Sequence, residues 1–192
     1  IYKAKLGVYT NVYTLRGIKM RNNNIKKMII AALLTAIAVI IPLQFGILKI
    51  YIPPFSATIA AHVPMFVAMI ISPKIGLIVG LGSTLGFAMT IGGVVALRAS
   101  SHIIIGYVGG LLFQKYKNLK KPILFTAPLH GLLEALAIIP FGLGTTEMLL
   151  ITFIGTILHH FVDGFITFLL VRGMSGKTEK NIYEVFLNKF IR

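Results

Sequence analysis

The chain contains no cysteine, which excludes a disulfide framework, thiol chemistry and a thiolate metal site, and leaves the redox compartment without a marker. Other chemical signatures are missing too. Ser83 sits in Gly80-Leu81-Gly82-Ser83-Thr84, without the Gly-x-Ser-Gly spacing expected around the nucleophile of an intramembrane protease. No glutamate lies between two histidines at the helical spacing of a zinc protease, and no glycine-rich phosphate loop occurs, so any use of ATP belongs to another chain. Acidic residues are scarce, 5 against 19 lysines and arginines. Residues Ile1–Asn24 lack the small-residue run that precedes a secretory cleavage site, and they read as a basic cytoplasmic arm ending in the helix-poor Asn22-Asn23-Asn24.

What the chain does have is apolar length. Hydrophobic residues make up 56% of the sequence and charged ones only 12%, with a mean hydropathy of +0.87, values outside the range of an ordinary soluble domain. Met28–Leu48, Ile50–Pro73, Ile75–Leu97 and Ala99–Gln114 each run without Asp, Glu, Lys or Arg apart from their borders. A helix crosses a hydrocarbon core with about 20 such residues, so the chain is expected to be an all-α integral membrane protein embedded in a lipid bilayer. The formal charge of +14 does not point to nucleic acid, because the basic residues flank the apolar runs instead of covering a polar face.

Six spans are expected, with an arm over residues 1–25, a membrane domain over 26–172 and a cytoplasmic tail over 173–192. Span one runs from Met28 to about Leu43 and carries Ala32 and Ala36, a small-xxx-small pair that permits close helix approach. Gln44–Phe55 contains Pro53-Pro54 and reads as an ordered outer loop, its Phe45, Tyr51 and Phe55 being either interfacial anchors or the lid of a pocket. Span two is Ser56–Ser72, interrupted at His62-Val63-Pro64. Span three, Ile75–Met89, pairs Gly76 with Gly80 and Gly82 with Gly86 for backbone-close packing. Spans four, five and six cover Val94–Phe113, Pro122–Phe141 and Met148–Val171, and the tail reads as a short amphipathic helix near Tyr183–Phe190. Lysine and arginine gather on the side of both termini, while Lys49 stands alone on the other, so both ends are expected in the cytoplasm.

Arg98 and His102 stand one helical turn apart inside span four, and His130 and Glu134 do the same in span five. An arginine within a span costs about 2.5–3.5 kcal/mol unless it is paired, so Arg98 asks for an anionic or carbonyl partner. In the expected topology His62, Arg98 and Glu134 lie in the outer half, with His102, His130 and His159 nearer the middle. The residues fit either of two arrangements: an outward-facing site for a small anion, or an internal Arg98–Glu134 pair with the histidines as interhelical hydrogen bonders. His159 and Asp163 share a helical face while His160 points away, a spacing too sparse to call a metal site.

With these residues in view, the stretch from Lys26 to Arg172 resembles the substrate-binding S components of energy-coupling factor (ECF) vitamin transporters. Ala32 and Ala36 match that family's alanine motif for docking. Ile52-Pro53-Pro54, His62-Val63-Pro64 and Ala96-Leu97-Arg98-Ala99 look most like the niacin-specific branch. The resemblance implies a six-helix bundle with an outer lid loop, in a bacterial or archaeal plasma membrane. It implies a small anionic vitamin, nicotinate, bound by Arg98, His62, His102, Glu134, His130, Tyr51, Phe55 and Phe45. The implied partners are a transmembrane coupling subunit and two ATPase subunits, with no catalytic residue, metal or cofactor in this chain. The alternatives are an S component for another vitamin or precursor, an intramembrane metal-dependent enzyme, and a self-sufficient channel or carrier.

Overall fold

The computed structural model describes residues 2–90, 92–175 and 181–191, with side chains described from Asn23 onward except at position 48. Ile91, the first residue of the stretch leading to Arg98 and His102, lies outside the described residues, as do 176–180 of the tail. The first helix, α1 (Tyr2–Gln44), is followed by an antiparallel hairpin of β1 (Lys49–Ile52) and β2 (Phe55–Thr58), then α2 (Val63–Ile71) and α3 (Pro73–Thr90). After these come α4 (Gly93–Ala99), α5 (Ser101–Tyr116), α6 (Lys120–Ala137), α7 (Thr146–Ser175) and α8 (Ile182–Phe190).

Among the described residues, five segments are long and apolar enough to cross a membrane: Asn23–Gln44, Pro73–Thr90, Gly93–Tyr116, Lys120–Phe141 and Thr146–Ser175. The protein is an all-α membrane protein apart from the hairpin. The expected helical span over Ser56–Ser72 is corrected: its first residues form β2 and a turn, and only the nine residues of α2 are helical. The cause is local. Pro53-Pro54 make the two-residue turn that pairs Ile52 with Phe55, and Pro64, which has no N–H to offer a preceding turn, is tolerated only at the start of a helix. The helix end expected at Asn22-Asn23-Asn24 is corrected as well, because α1 runs unbroken through them. Asparagine costs under ~1 kcal/mol in a helix interior, and no glycine or proline stands there to stop propagation.

Glycine contacts fix how the helices run. A Cβ on Gly76 or Gly106 would strike the other's backbone, one on Gly80 would strike His102, and one on Gly110 would strike Pro73, so α3 and α5 are antiparallel and nearly in backbone contact. Gly82 meets Thr35 and Gly86 meets Val39, so α1 and α3 run in the same direction. Both expected glycine pairs therefore find a neighbour, on different faces of α3. The hairpin and α2 return the chain between the parallel α1 and α3, and the beginning of the apolar part of α1 and the end of α7 consequently lie at one end of the bundle. That end also holds Lys74 and the lysines from Lys115 to Lys121, whereas the hairpin with Lys49 closes the other. Helix α8 caps the lysine end, with Asn181 accepting from the Glu184 N–H (3.2 Å) and Tyr183 and Phe186 buried against the core near Phe113 and Leu119.

Replacing Gly106 by leucine forces apart α3 and α5 at their backbones. The expected outcome is a loss of at least 1–3 kcal/mol, the usual cost of overpacking, seen as a lower melting temperature in detergent. The same change at Gly173, with nothing within 4 Å of a Cβ there, leaves it unaltered.

Candidate functional site

Each half of the buried polar cluster begins with a helix that would otherwise be a plain membrane span. Arg98 lies near the end of α4 and is 3% exposed, and Glu134 projects from α6 at 6%. The guanidinium donates through Nε (3.1 Å) and Nη2 to Glu134 Oε2. Its remaining donors reach the hairpin: Nη2 to the Ser56 carbonyl (3.1 Å), and Nη1 to Ser56 Oγ (3.3 Å) and the Pro54 carbonyl (3.4 Å). Thr156 on α7 donates to the same Glu134 oxygen (2.8 Å). Of the two arrangements open to the sequence, the structure has the internal pair, and it adds a hairpin contact that spacing could not reveal.

All five histidines of the chain gather beside this pair. His62 precedes α2, and its ring is 4.7 Å from that of His102, 4.8 Å from His130 and 4.4 Å from His159. Its Nε2 lies 3.1 Å from His102 Nε2, and His102 Nδ1 lies 2.9 Å from Ser83 Oγ. His130 Nδ1 is 3.0 Å from His160 Nδ1, whose other nitrogen is 3.2 Å from Thr126 Oγ1. Asp163, fully buried on α7, accepts from the backbone N–H groups of Ala60 (2.8 Å) and His62 (3.0 Å) and lies against the side chains of His62 (3.0 Å) and His159 (3.1 Å). Ala60 has φ +69°, a left-handed conformation that costs a non-glycine residue roughly 1–2 kcal/mol, and Asp163 holds it there. A carboxylate held on the turn just ahead of α2 also complements the dipole of that helix.

His62, Arg98, His102, His130 and Glu134 are therefore brought together in one cluster. Phe55 joins them, 6% exposed, with the Arg98 guanidinium 5.5 Å from its ring centre. Phe45 and Tyr51 do not: both are exposed, at 45% and 66%, and stay outside, in keeping with interfacial anchors. Asp163, Ser56 and Thr156 are the site residues that the sequence left unassigned. Only the i and i+4 relation of His159 and Asp163 hinted at the first, because the partners of the other two arrive from distant segments. His160 points away from Asp163 towards His130, as its one-residue offset requires.

A cavity of about 20 Å³ remains among Ser56, His62, Phe87, Arg98, His102 and Glu134. That is room for about one water. A larger groove of about 830 Å³ opens between the hairpin and α7, but Ile50, Ile52, Ile154 and Leu158 wall it, and its acidic residue, Glu147, has the wrong sign for an anion.

With the buried cationic group placed, comparison with known proteins becomes informative. The chain is similar to a niacin transporter. That protein, from Lactococcus lactis subsp. cremoris, is 39% identical over 117 residues, a stretch that covers 60% of this chain and 49% of the relative. The chain thus spans about half the length of the curated relative it matches. No family model and no solved structure matches the chain.

Removing Glu134 strands a buried cation. Glu134→Ala is expected to destabilise the bundle by about 3–5 kcal/mol, and the double variant with Arg98→Met to recover most of that loss. Unfolding in a mixed-detergent titration measures both, and equal loss in the single and double variants would exclude the pair as the cause.

Proposed function

We propose that this chain is a nicotinate-binding S component of an energy-coupling-factor importer. The observation that carries the reading is the 39% identity with a niacin transporter. A buried guanidinium in a chain with membrane-spanning helices supports it, since nicotinate offers one carboxylate for a bidentate partner and one aromatic ring for stacking.

In this reading the chain has six membrane passes, the sixth made jointly by the hairpin and α2, with the lysine-rich end in the cytoplasm. The hairpin is the lid. Closed over Arg98, it occupies Nη1 and half of Nη2 with Pro54 and Ser56, and the space left is too small for a pyridine ring. Lifting the hairpin releases those donors for the vitamin carboxylate while Glu134 keeps Nε, so the cation is never without a partner. Phe55, already against the guanidinium, supplies a face for the ring, and His62 and His102 are within the same pocket to meet the pyridine nitrogen or the carboxylate.

Docking uses α1. Ala32 and Ala36 are exposed on the face opposite Ala31, Thr35 and Ala38, which point into the bundle. A stripe of small side chains lets a helix of the coupling subunit approach closely, and two ATPase subunits on that complex supply the energy to expose the site to the cytoplasm.

Nicotinate is expected to co-purify and to be identified by mass spectrometry. Arg98→Ala should weaken its binding by about 30-fold or more, the cost of about 2 kcal/mol for a lost buried charge pair, and uncharged nicotinamide should bind more weakly than nicotinate. Unchanged affinity in the variant would remove Arg98 from the site. Ala32→Trp or Ala36→Trp should abolish uptake in cells while the isolated chain still binds; lost binding would contradict a purely docking role.

A further inference from the structure

The histidine cluster holds more than hydrogen bonding requires. One donor atom from each of His62, His102, His130 and Glu134 lies within 4.8 Å of the other three, and all four residues are buried. His62 Nε2 and His102 Nε2 are 3.1 Å apart, His130 Nε2 and Glu134 Oε1 are 3.3 Å apart, and His102 Nε2 and Glu134 Oε1 are 3.9 Å apart. Donors about 2.0–2.1 Å from a tetrahedral zinc ion stand roughly 3.3 Å from one another. These three separations bracket that spacing, and the four residues together are close enough to converge on one ion.

The far-side nitrogens of His102 and His130 are hydrogen-bonded, and that of His62 lies against a carboxylate without an aligned hydrogen bond. His62 Nδ1 lies 3.0 Å from Asp163 Oδ2, His102 Nδ1 is 2.9 Å from Ser83 Oγ, and His130 Nδ1 is 3.0 Å from His160 Nδ1. Glu134 Oε2 takes Arg98 and Thr156, leaving Oε1 to face the histidines. Outer partners of this kind orient the imidazoles and turn their other nitrogen inward.

Two further observations call for a cation. His130 Nε2 is fully buried and makes no hydrogen bond, although Glu134 Oε1 is only 3.3 Å away: the contact is close but not aligned as an N–H aimed at oxygen. Arg98 also matches only one of the two buried carboxylates, Glu134 and Asp163, so with neutral histidines the cluster carries one unbalanced negative charge in an apolar bundle. An unpaired buried charge is costly.

We infer that His62, His102, His130 and Glu134 form a closed four-coordinate site for a divalent transition-metal ion of the zinc class, tying the start of α2 to α5 and α6. Three imidazoles and one carboxylate suit Zn2+ or Co2+ and disfavour Mg2+ and Ca2+, which prefer all-oxygen shells. The inference stands apart from the transport reading, but a loaded site commits His62 Nε2 and His102 Nε2 to the ion, so vitamin binding to the loaded chain would rest on Arg98 without them.

The test uses the full chain in detergent, without a histidine tag, loaded with Zn2+ or Co2+ and desalted. Elemental analysis should find about one ion per chain, and the Co2+ form should have the intense visible bands of a four-coordinate centre. His102→Ala and His130→Ala should each lose the ion, His159→Ala should retain it, and Asp163→Asn should weaken it by about 10–100-fold. Should a histidine variant fail to fold, the wild-type Co2+ spectrum and Glu134→Gln carry the test. A wild-type protein that binds neither ion, or a site abolished by His159→Ala and untouched by His102→Ala, overturns the assignment. In the first case a histidine proton supplies the missing charge. Nicotinate binding, measured on the same samples, is scored separately.

Discussion

A guanidinium buried in an apolar bundle must be neutralised where it stands, and the placement of the surrounding elements follows from that demand. Arg98 has more donors than one carboxylate can accept in this geometry, so Glu134 takes two of its nitrogens and the hairpin supplies Pro54 and Ser56 for the remainder. The pair links α4 to α6 and both to the hairpin. Desolvation offsets much of the attraction in such a pair, so its contribution lies less in net stability than in specifying which surfaces meet.

Close packing elsewhere makes that meeting feasible. Glycines on two faces of α3 admit α1 on one side and α5 on the other at backbone distance. The tight α3–α5 contact places Ser83 against His102, and the short α2 brings His62 in from above the core to complete the group. A full-length helix in place of the hairpin and α2 would pass through the space that the imidazoles share. The interruption at His62-Val63-Pro64 is thus part of the site's construction, and Asp163 holds the turn in place across 101 residues of sequence.

In the proposed lid motion this arrangement has a mechanical consequence. The elements split into those that carry the charged groups and Thr156, α4, α6 and α7, and a hairpin that contributes carbonyls, a hydroxyl and the Phe55 ring. The second set can leave without stranding a charge, and the first cannot. The histidines lie beside the charge pair, where a bound cation would tie the start of α2 to α5 and α6.

The sequence by itself determined the membrane class, four of the long apolar segments nearly to their ends, the glycine faces of α3, the tail helix and the pairing of ionisable residues one turn apart on α6 and α7. These depend on local periodicity and on the cost of charge in hydrocarbon, both of which are written in consecutive residues. The structure alone decided that Arg98 pairs with Glu134, that Ser56 and Asp163 belong to the site, that Phe45 and Tyr51 do not, and that a hairpin stands where a helix was expected. Those outcomes depend on partners brought together from segments tens of residues apart, and spacing within one helix carries no information about which side chain arrives from another.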